Sequence, residues 1–112
     1  MDVSTLTVIN LSSQEWKTDN YLNLPVAFVN DHVVRVSIMT EPYFWHWHPN
    51  SDETFLVMEG SMLIDLESKT IELLPGQLFS IPKNVKHRTR PKGKVSVNLT
   101  FEKANMETIA VK

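Results

Sequence analysis

The sequence predicts an all-β protein, and three observations carry that reading. Short alternating or apolar runs fill the chain, turn residues separate them, and no stretch sustains a helical period. At 112 residues the chain is long enough for one domain with one core, residues 1–112, and too short for two. Taken in order, the run at 3–10 predicts a first strand. Residues 12–24 are polar and irregular apart from Trp16, Tyr21 and Leu22, a pattern that suits a loop, a short helix or a dimer arm. The apolar runs 26–29 and 32–40 predict two strands joined by a tight hairpin turn at Asn30-Asp31. A strand at 43–48 (YFWHWH) ends at Pro49-Asn50-Ser51-Asp52, where proline presets φ and the next three side chains hydrogen-bond locally. Alternation then predicts strands at 53–59, 61–66, 70–73, 77–81, 86–90 and 95–103. The six prolines fall at strand ends or turns, where a missing N–H is tolerated. No internal repeat or linker interrupts the series.

Composition narrows the function classes. A net charge of -2 and a pI near 6.0 give no general reason to expect nucleic acid or membrane as partner, which leaves a small molecule. With no cysteine, disulfides, thiolate catalysis and cysteine ligation are excluded. The start MDVSTLTVINLSS lacks a basic segment followed by a long apolar run, so a cytoplasmic location is expected.

Chemistry concentrates in two stretches, WHWHPNSDETFLVMEG and PGQLFSIPKNVKH. In a strand, side chains two apart share a face, so His46 and His48 project together while Trp45 and Trp47 project the other way. If the turn at 49–52 closes a hairpin, Glu53 opens a returning strand beside the first and shares a face with Phe55 and Val57. His87 comes from farther along the chain. Imidazole nitrogens and a carboxylate oxygen suit divalent iron, manganese, nickel, zinc or copper at roughly 2.0–2.2 Å. Three histidines and one glutamate leave two positions open on an octahedral ion, enough to chelate a substrate or to bind substrate and dioxygen together.

The same parity places Phe44 inward with the histidines. With Phe55, Val57, Met62 and Ile64 it is expected to line a dry substrate pocket beside the metal, with Leu66 continuing the alternation. Tyr43 has outward parity and Thr89, though inward, is a poor base, so no second inward base is evident. Lys83, Lys86, Arg88, Arg90, Lys92 and Lys94 form a basic run in which Lys86, Arg88 and Arg90 face outward as a solvated sheet surface. His32, just after a turn, is expected at the surface rather than on a metal. Trp45 and Trp47 on an outer face need cover from a subunit interface or from the N-terminal segment.

The run from His46 to Gly60 resembles the first motif of the cupin family: His-x-His, four residues, Glu, six residues, Gly, met at His46, His48, Glu53 and Gly60. Residues 76–91 resemble the second motif at Gly76, Pro82 and His87. Thr40, Asn84 and Pro91 depart from the pattern where it usually has glycine, glycine and asparagine. None of the three is a ligand, and asparagine tolerates left-handed backbone better than other residues with a Cβ.

The resemblance implies a cupin-type antiparallel β-barrel, also described as a double-stranded β-helix or jelly roll. It implies a divalent transition metal on His46, His48, Glu53 and His87, with Glu53 also able to move a proton as the catalytic group. Dioxygenase, isomerase, decarboxylase, cyclase and lyase chemistry all fit. The alternative is a metal-centred module that binds a small molecule without turnover, and a third reading gives the metal a purely structural role. Small cupins commonly pair, so a homodimer is expected.

Overall fold

A computed structural model of the chain describes residues 3, 5–12 and 21–112. Its strands are β1 (Leu22–Val29), β2 (His32–Met39), β3 (His46–Trp47), β4 (Glu53–Glu59), β5 (Met62–Leu66), β6 (Thr70–Leu73), β7 (Leu78–Ile81), β8 (His87–Pro91), β9 (Ser96–Lys103) and β10 (Ile109–Ala110). They build two antiparallel five-stranded sheets, of order β1-β2-β9-β4-β7 and β10-β3-β8-β5-β6, with no helix among the described residues. One buried cluster joins Phe55, Val57 and Ile81 of the first sheet to Met62, Ile64 and Leu73 of the second, so the inner faces of the sheets pack on each other.

The β1–β2 hairpin turns through Asn30-Asp31 as expected, with Asn30 at φ 55°, a left-handed geometry asparagine accepts. Asn84, at φ 71°, does the same in the turn before β8. Four expectations need correction. Residues 5–10 form no strand, with bends at 5–7: Thr7 Oγ1 donates to Thr5 O, and Asn10 Oδ1 accepts from Ser12 N and Oγ, local bonds that compete with a ladder. β1 begins at Leu22, so the irregular stretch ends earlier than predicted; Trp16 and the rest of 13–20 lie outside the described residues. The strand expected at 43–48 shrinks to His46–Trp47.

The fourth correction matters most for the site. β3 and β4 are not hairpin neighbours: β3 pairs with β8 and β10, whereas β4 pairs with β7 and β9. Residues 49–52 carry the chain from one sheet to the other. Ser51 Oγ accepts from Lys103 N at 3.0 Å, Asp52 Oδ1 from Lys83 N at 2.9 Å and Asn50 Oδ1 from Glu107 N at 2.8 Å, pinning this corner to three separate segments. Glu53 thus approaches the histidines across the barrel interior, not along a shared ladder.

On β2 and β9 of the first sheet, much of the inward face is polar, opposite to the usual pattern. Arg35, Ser37 and Met39 of β2 face the interior, which puts Val34, Val36 and Ile38 outside. There Val36 packs with Val26 and Leu99, and Leu11 of the N-terminal segment lies against them. Three of the six residues of the basic run are paired among the described residues: Asp65 Oδ2 accepts from Arg88 Nε at 2.8 Å and Arg90 Nε at 2.9 Å, Lys92 pairs with Glu72, and the Arg88 guanidinium sits 5.7 Å from the Trp45 ring centre. Trp45 and Trp47 are half-buried.

Candidate metal centre

The structure brings His46, His48, Glu53 and His87 together, with one ligand atom from each lying within 4.8 Å of the others and all four side chains buried. β3 supplies His46, and His48 follows directly after it. Glu53 opens β4 and His87 opens β8, where it stands opposite His46 in register. The turn before β8 is tied to this place, because Asn84 N donates to His48 O at 2.8 Å.

Each imidazole is aimed by the backbone. His46 Nδ1 donates to Phe44 O at 2.7 Å, His87 Nδ1 to Val85 O at 2.8 Å, and His48 Nδ1 to Glu107 O at 2.9 Å with the Thr108 hydroxyl 3.2 Å away. A carbonyl only accepts, so every Nδ1 carries a proton and every Nε2 is left to face the others. This is the support that ligating histidines require.

The donor set fits a divalent ion. Two ligands on opposite sides of an ion at roughly 2.0–2.2 Å stand about 4.0–4.4 Å apart, so the observed spread of up to 4.8 Å needs to close by about 0.4–0.8 Å. His87 Nε2 is buried with no hydrogen-bond partner, an orphan that an ion would satisfy. His48 Nε2 lies 3.1 Å from Glu53 Oε1 and His87 Nε2 lies 3.6 Å from it.

Burial, opposed chiefly by the Phe44 carbonyl, pushes His46 down to about 4, so its ring is neutral and ready to ligate at neutral pH. For His48, burial also pulls downward, but the Glu53 carboxylate and the Glu107 carbonyl outweigh it and the value is raised. Burial would raise Glu53, yet the hydrogen bond from His48 and the nearby His87 ring hold it well below the usual range. A proton that Glu53 holds on His48 Nε2 stands where a cation would bind. Metal and proton compete for that lone pair.

The group opens onto a cavity of about 430 Å³. Of the five apolar residues expected to line it, only Phe55 does. Val57, Met62 and Ile64 are in the core cluster, where both sheets cover them. Phe44 is about half exposed and outside the lining, while Tyr43, expected outward, lines the cavity. The reason is local: the chain at 42–45 is not a strand, and Phe44 turns its carbonyl to His46 Nδ1, so two-residue parity fails there. Thr89 lines the cavity as expected, and His32 is exposed beside Asp31, apart from the cluster.

The sequence reading missed Arg35, Thr100 and Glu102, which also line the cavity. The signal was the alternation SVNLTFEK, in which 96, 98, 100 and 102 are polar; what pattern alone withheld was that this polar face points inward. Glu102 corrects the expectation that no second inward base exists. Burial, then the negative charge of Glu53, push its carboxyl up to about 7, against the pull of the Arg35 charge.

A folded value above the ordinary 4.5 means that Glu102 contributes its stability fully below about pH 4.5 and loses it as pH rises through 7. Glu102→Gln removes the ionisation, so the metal-free variant is expected to be more stable than the parent by about 1–3 kcal/mol at pH 8, with the gap closing towards pH 5. Urea unfolding at the two pH values checks this; a gap that does not vary with pH would contradict it.

Two facing antiparallel sheets around a buried three-histidine, one-glutamate group define a cupin. The sequence profile of the cupin domain family matches residues 35–101, and the chain belongs to that family. It is 42% identical over 94 residues to the uncharacterized protein YdbB of Bacillus subtilis (strain 168), covering 83% of this chain and 82% of that one. The polyketide synthase CurC of Streptomyces cyaneus is 36% identical over 56 residues, which span 50% of this chain and 36% of CurC. Among solved structures, a cupin-2 domain containing protein from Shewanella frigidimarina superposes with a TM-score of 0.69 at 28% identity, over 86% of this chain and 93% of that one.

Proposed function

We propose that the protein is a metal-dependent enzyme acting on a small, oxygen-rich molecule chelated at a divalent transition ion held by His46, His48, Glu53 and His87. One observation carries this reading: each imidazole Nδ1 is committed to a backbone carbonyl, which leaves the Nε2 atoms and Glu53 converging in a buried place where His87 Nε2 has no partner. An ion bound there would polarise a substrate carbonyl or enolate oxygen. The chain supplies the rest. Phe55 and Tyr43 shape the cavity, Glu53 holds negative charge at the group and can move a proton, and Glu102 is a second carboxyl within the same cavity. The polyketide synthase named among the relatives supports an oxygen-rich substrate. Dioxygenase, isomerase, decarboxylase and lyase chemistry are the reaction classes that fit.

Metal content of tag-free protein purified without chelators tests the reading. About one equivalent is expected in the parent, with loss of most of it in His48→Ala and Glu53→Gln. Metal-free protein that takes up no ion on reconstitution would overturn it, and metal with ligand binding but no turnover would make the protein a binding module. We also propose a homodimer, in which the half-buried Trp45 and Trp47 gain cover. Sedimentation showing only monomer, with both indoles open to quencher, would remove that part. Among the described residues no helix is long and apolar enough to cross a membrane. A cytoplasmic location belongs to the same proposal and is checked by cell fractionation.

A further inference from the structure

The cavity has two unlike walls. One carries the His–Glu group on β3, β4 and β8; the other is the inner face of β2 and β9, where Arg35 stands opposite Thr100 in the ladder. On this second wall polar groups are buried without being satisfied. Thr100 Oγ1 and Glu102 Oε2 have no hydrogen-bond partner, although the residues are only 5% and 3% exposed. A buried hydroxyl or carboxyl oxygen without a partner calls for something to complete it, whether a water, an ion or a ligand.

Arg35 is held loosely. Its Nε lies 3.7 Å from Glu102 Oε2, beyond hydrogen-bond length, and its Nη1 reaches Asn23 Oδ1 at 3.4 Å, the long limit of one. A guanidinium with weakly engaged donors at the edge of a cavity is suited to a carboxylate, which it can meet through two parallel bonds. Charge balance points the same way. Among the described lining residues, Arg35 and Lys103 offset Glu53 and Glu102. With the three imidazoles neutral, a divalent ion leaves the cavity two positive charges in excess, which an anionic ligand neutralises.

We propose that the ligand is an oxo acid: a molecule whose paired carbonyl or enol oxygens face the His–Glu group and whose separate carboxylate is received by Arg35, with the Thr100 hydroxyl bonding to an oxygen between them. This rests on the metal reading above and adds the substrate class. The cavity, at about 430 Å³, falls in the range of small-molecule sites.

Two probes separate the features. Acetylacetone carries only the chelating 1,3-dioxygen unit, whereas 4,6-dioxoheptanoate carries the same unit with a carboxylate on a short arm. Calorimetry on nickel-loaded protein is expected to show the acid binding about tenfold to a hundredfold more tightly than the diketone, the range of charge-assisted bonds. Arg35→Met should bring the two to parity while leaving nickel content unchanged. Arg35→Lys should restore part of the preference, and Lys94→Met, an equal loss of charge elsewhere, should leave it intact. Equal binding of both probes to the parent, or a preference that survives Arg35→Met, overturns the proposal while the metal centre stands. Protein that takes up no nickel overturns the metal reading and this proposal with it.

Discussion

Saturation with a divalent transition metal is expected to raise the melting temperature by more than 10 °C, and His87→Ala to abolish most of that rise. The donors come from β3 and its following residue, β4 and β8, across two sheets, so the site exists only in the folded chain. A ligand that binds the native state alone stabilises it by about 4 kcal/mol at a thousand times its dissociation constant. In a domain of this size each kcal/mol is worth about 4–8 °C. Residual binding of metal to histidines in the unfolded chain reduces the gain, so the expected rise is set below the roughly 16 °C that the smaller slope gives.

His87 is the informative ligand to remove, being 1% exposed and lacking a partner at Nε2. Its loss also leaves a small void, so the quantity to compare is each protein's own shift between metal-free and metal-loaded samples. The shift should shrink as pH falls from 8 towards 6, because His48, raised by Glu53, must give up the proton that metal replaces. Scanning calorimetry on both proteins reads all of this; an equal rise in the variant would mean that the ion binds elsewhere.

How much of this was legible in the chain depends on what each feature required. The ligand set was, because ligand chemistry restricts residue type and the motif spacings restrict position. The hairpin drawn through Glu53 was not: a four-residue turn looks alike whether it returns a strand to its neighbour or carries it to the opposite sheet, and hydrogen bonds made by Asn50, Ser51 and Asp52 to distant backbone decide the matter. Strand positions in β2 and β9 were readable, but their facing was not. Val34, Val36, Ile38, Val97 and Leu99 look like the cavity face by composition, yet they lie on the other face of the sheet, where most of them pack in a separate cluster, because the cavity side of β2 and β9 carries Arg35, Ser37, Thr100 and Glu102. Parity likewise failed at Phe44, where a carbonyl needed by His46 overrides the pleat. β10, two residues paired with β3, carries too short a pattern to announce itself.

Two glycines of the family motifs separate conformational strain from steric exclusion. Gly60 at φ 71° and Gly76 at φ 86° both occupy left-handed backbone, where any residue with a Cβ is disfavoured by about 1–2 kcal/mol. At Gly76 a Cβ would meet nothing within 4 Å, so Gly76→Ala should cost about that much and no more. At Gly60 it would lie 2.4 Å from Val95 O and 3.3 Å from Ser96 Cα. Both are main-chain atoms, which cannot rotate aside as a side chain can.

Gly60 follows β4, whose pairing with β9 shifts register between Val57 and Glu59, and Val95 immediately precedes β9. Relief of the clash must therefore pull the start of β9 away from the end of β4, in the sheet that carries Glu53 and Glu102. Gly60→Ala is expected to destabilise the protein by about 3 kcal/mol or more, on the scale of the larger single-residue effects. Gly76→Ala should remain near the conformational cost alone. Urea unfolding of the two variants in parallel decides it: equal losses would show that only backbone conformation matters at Gly60, and that β9 yields without cost to the 2.4 Å approach.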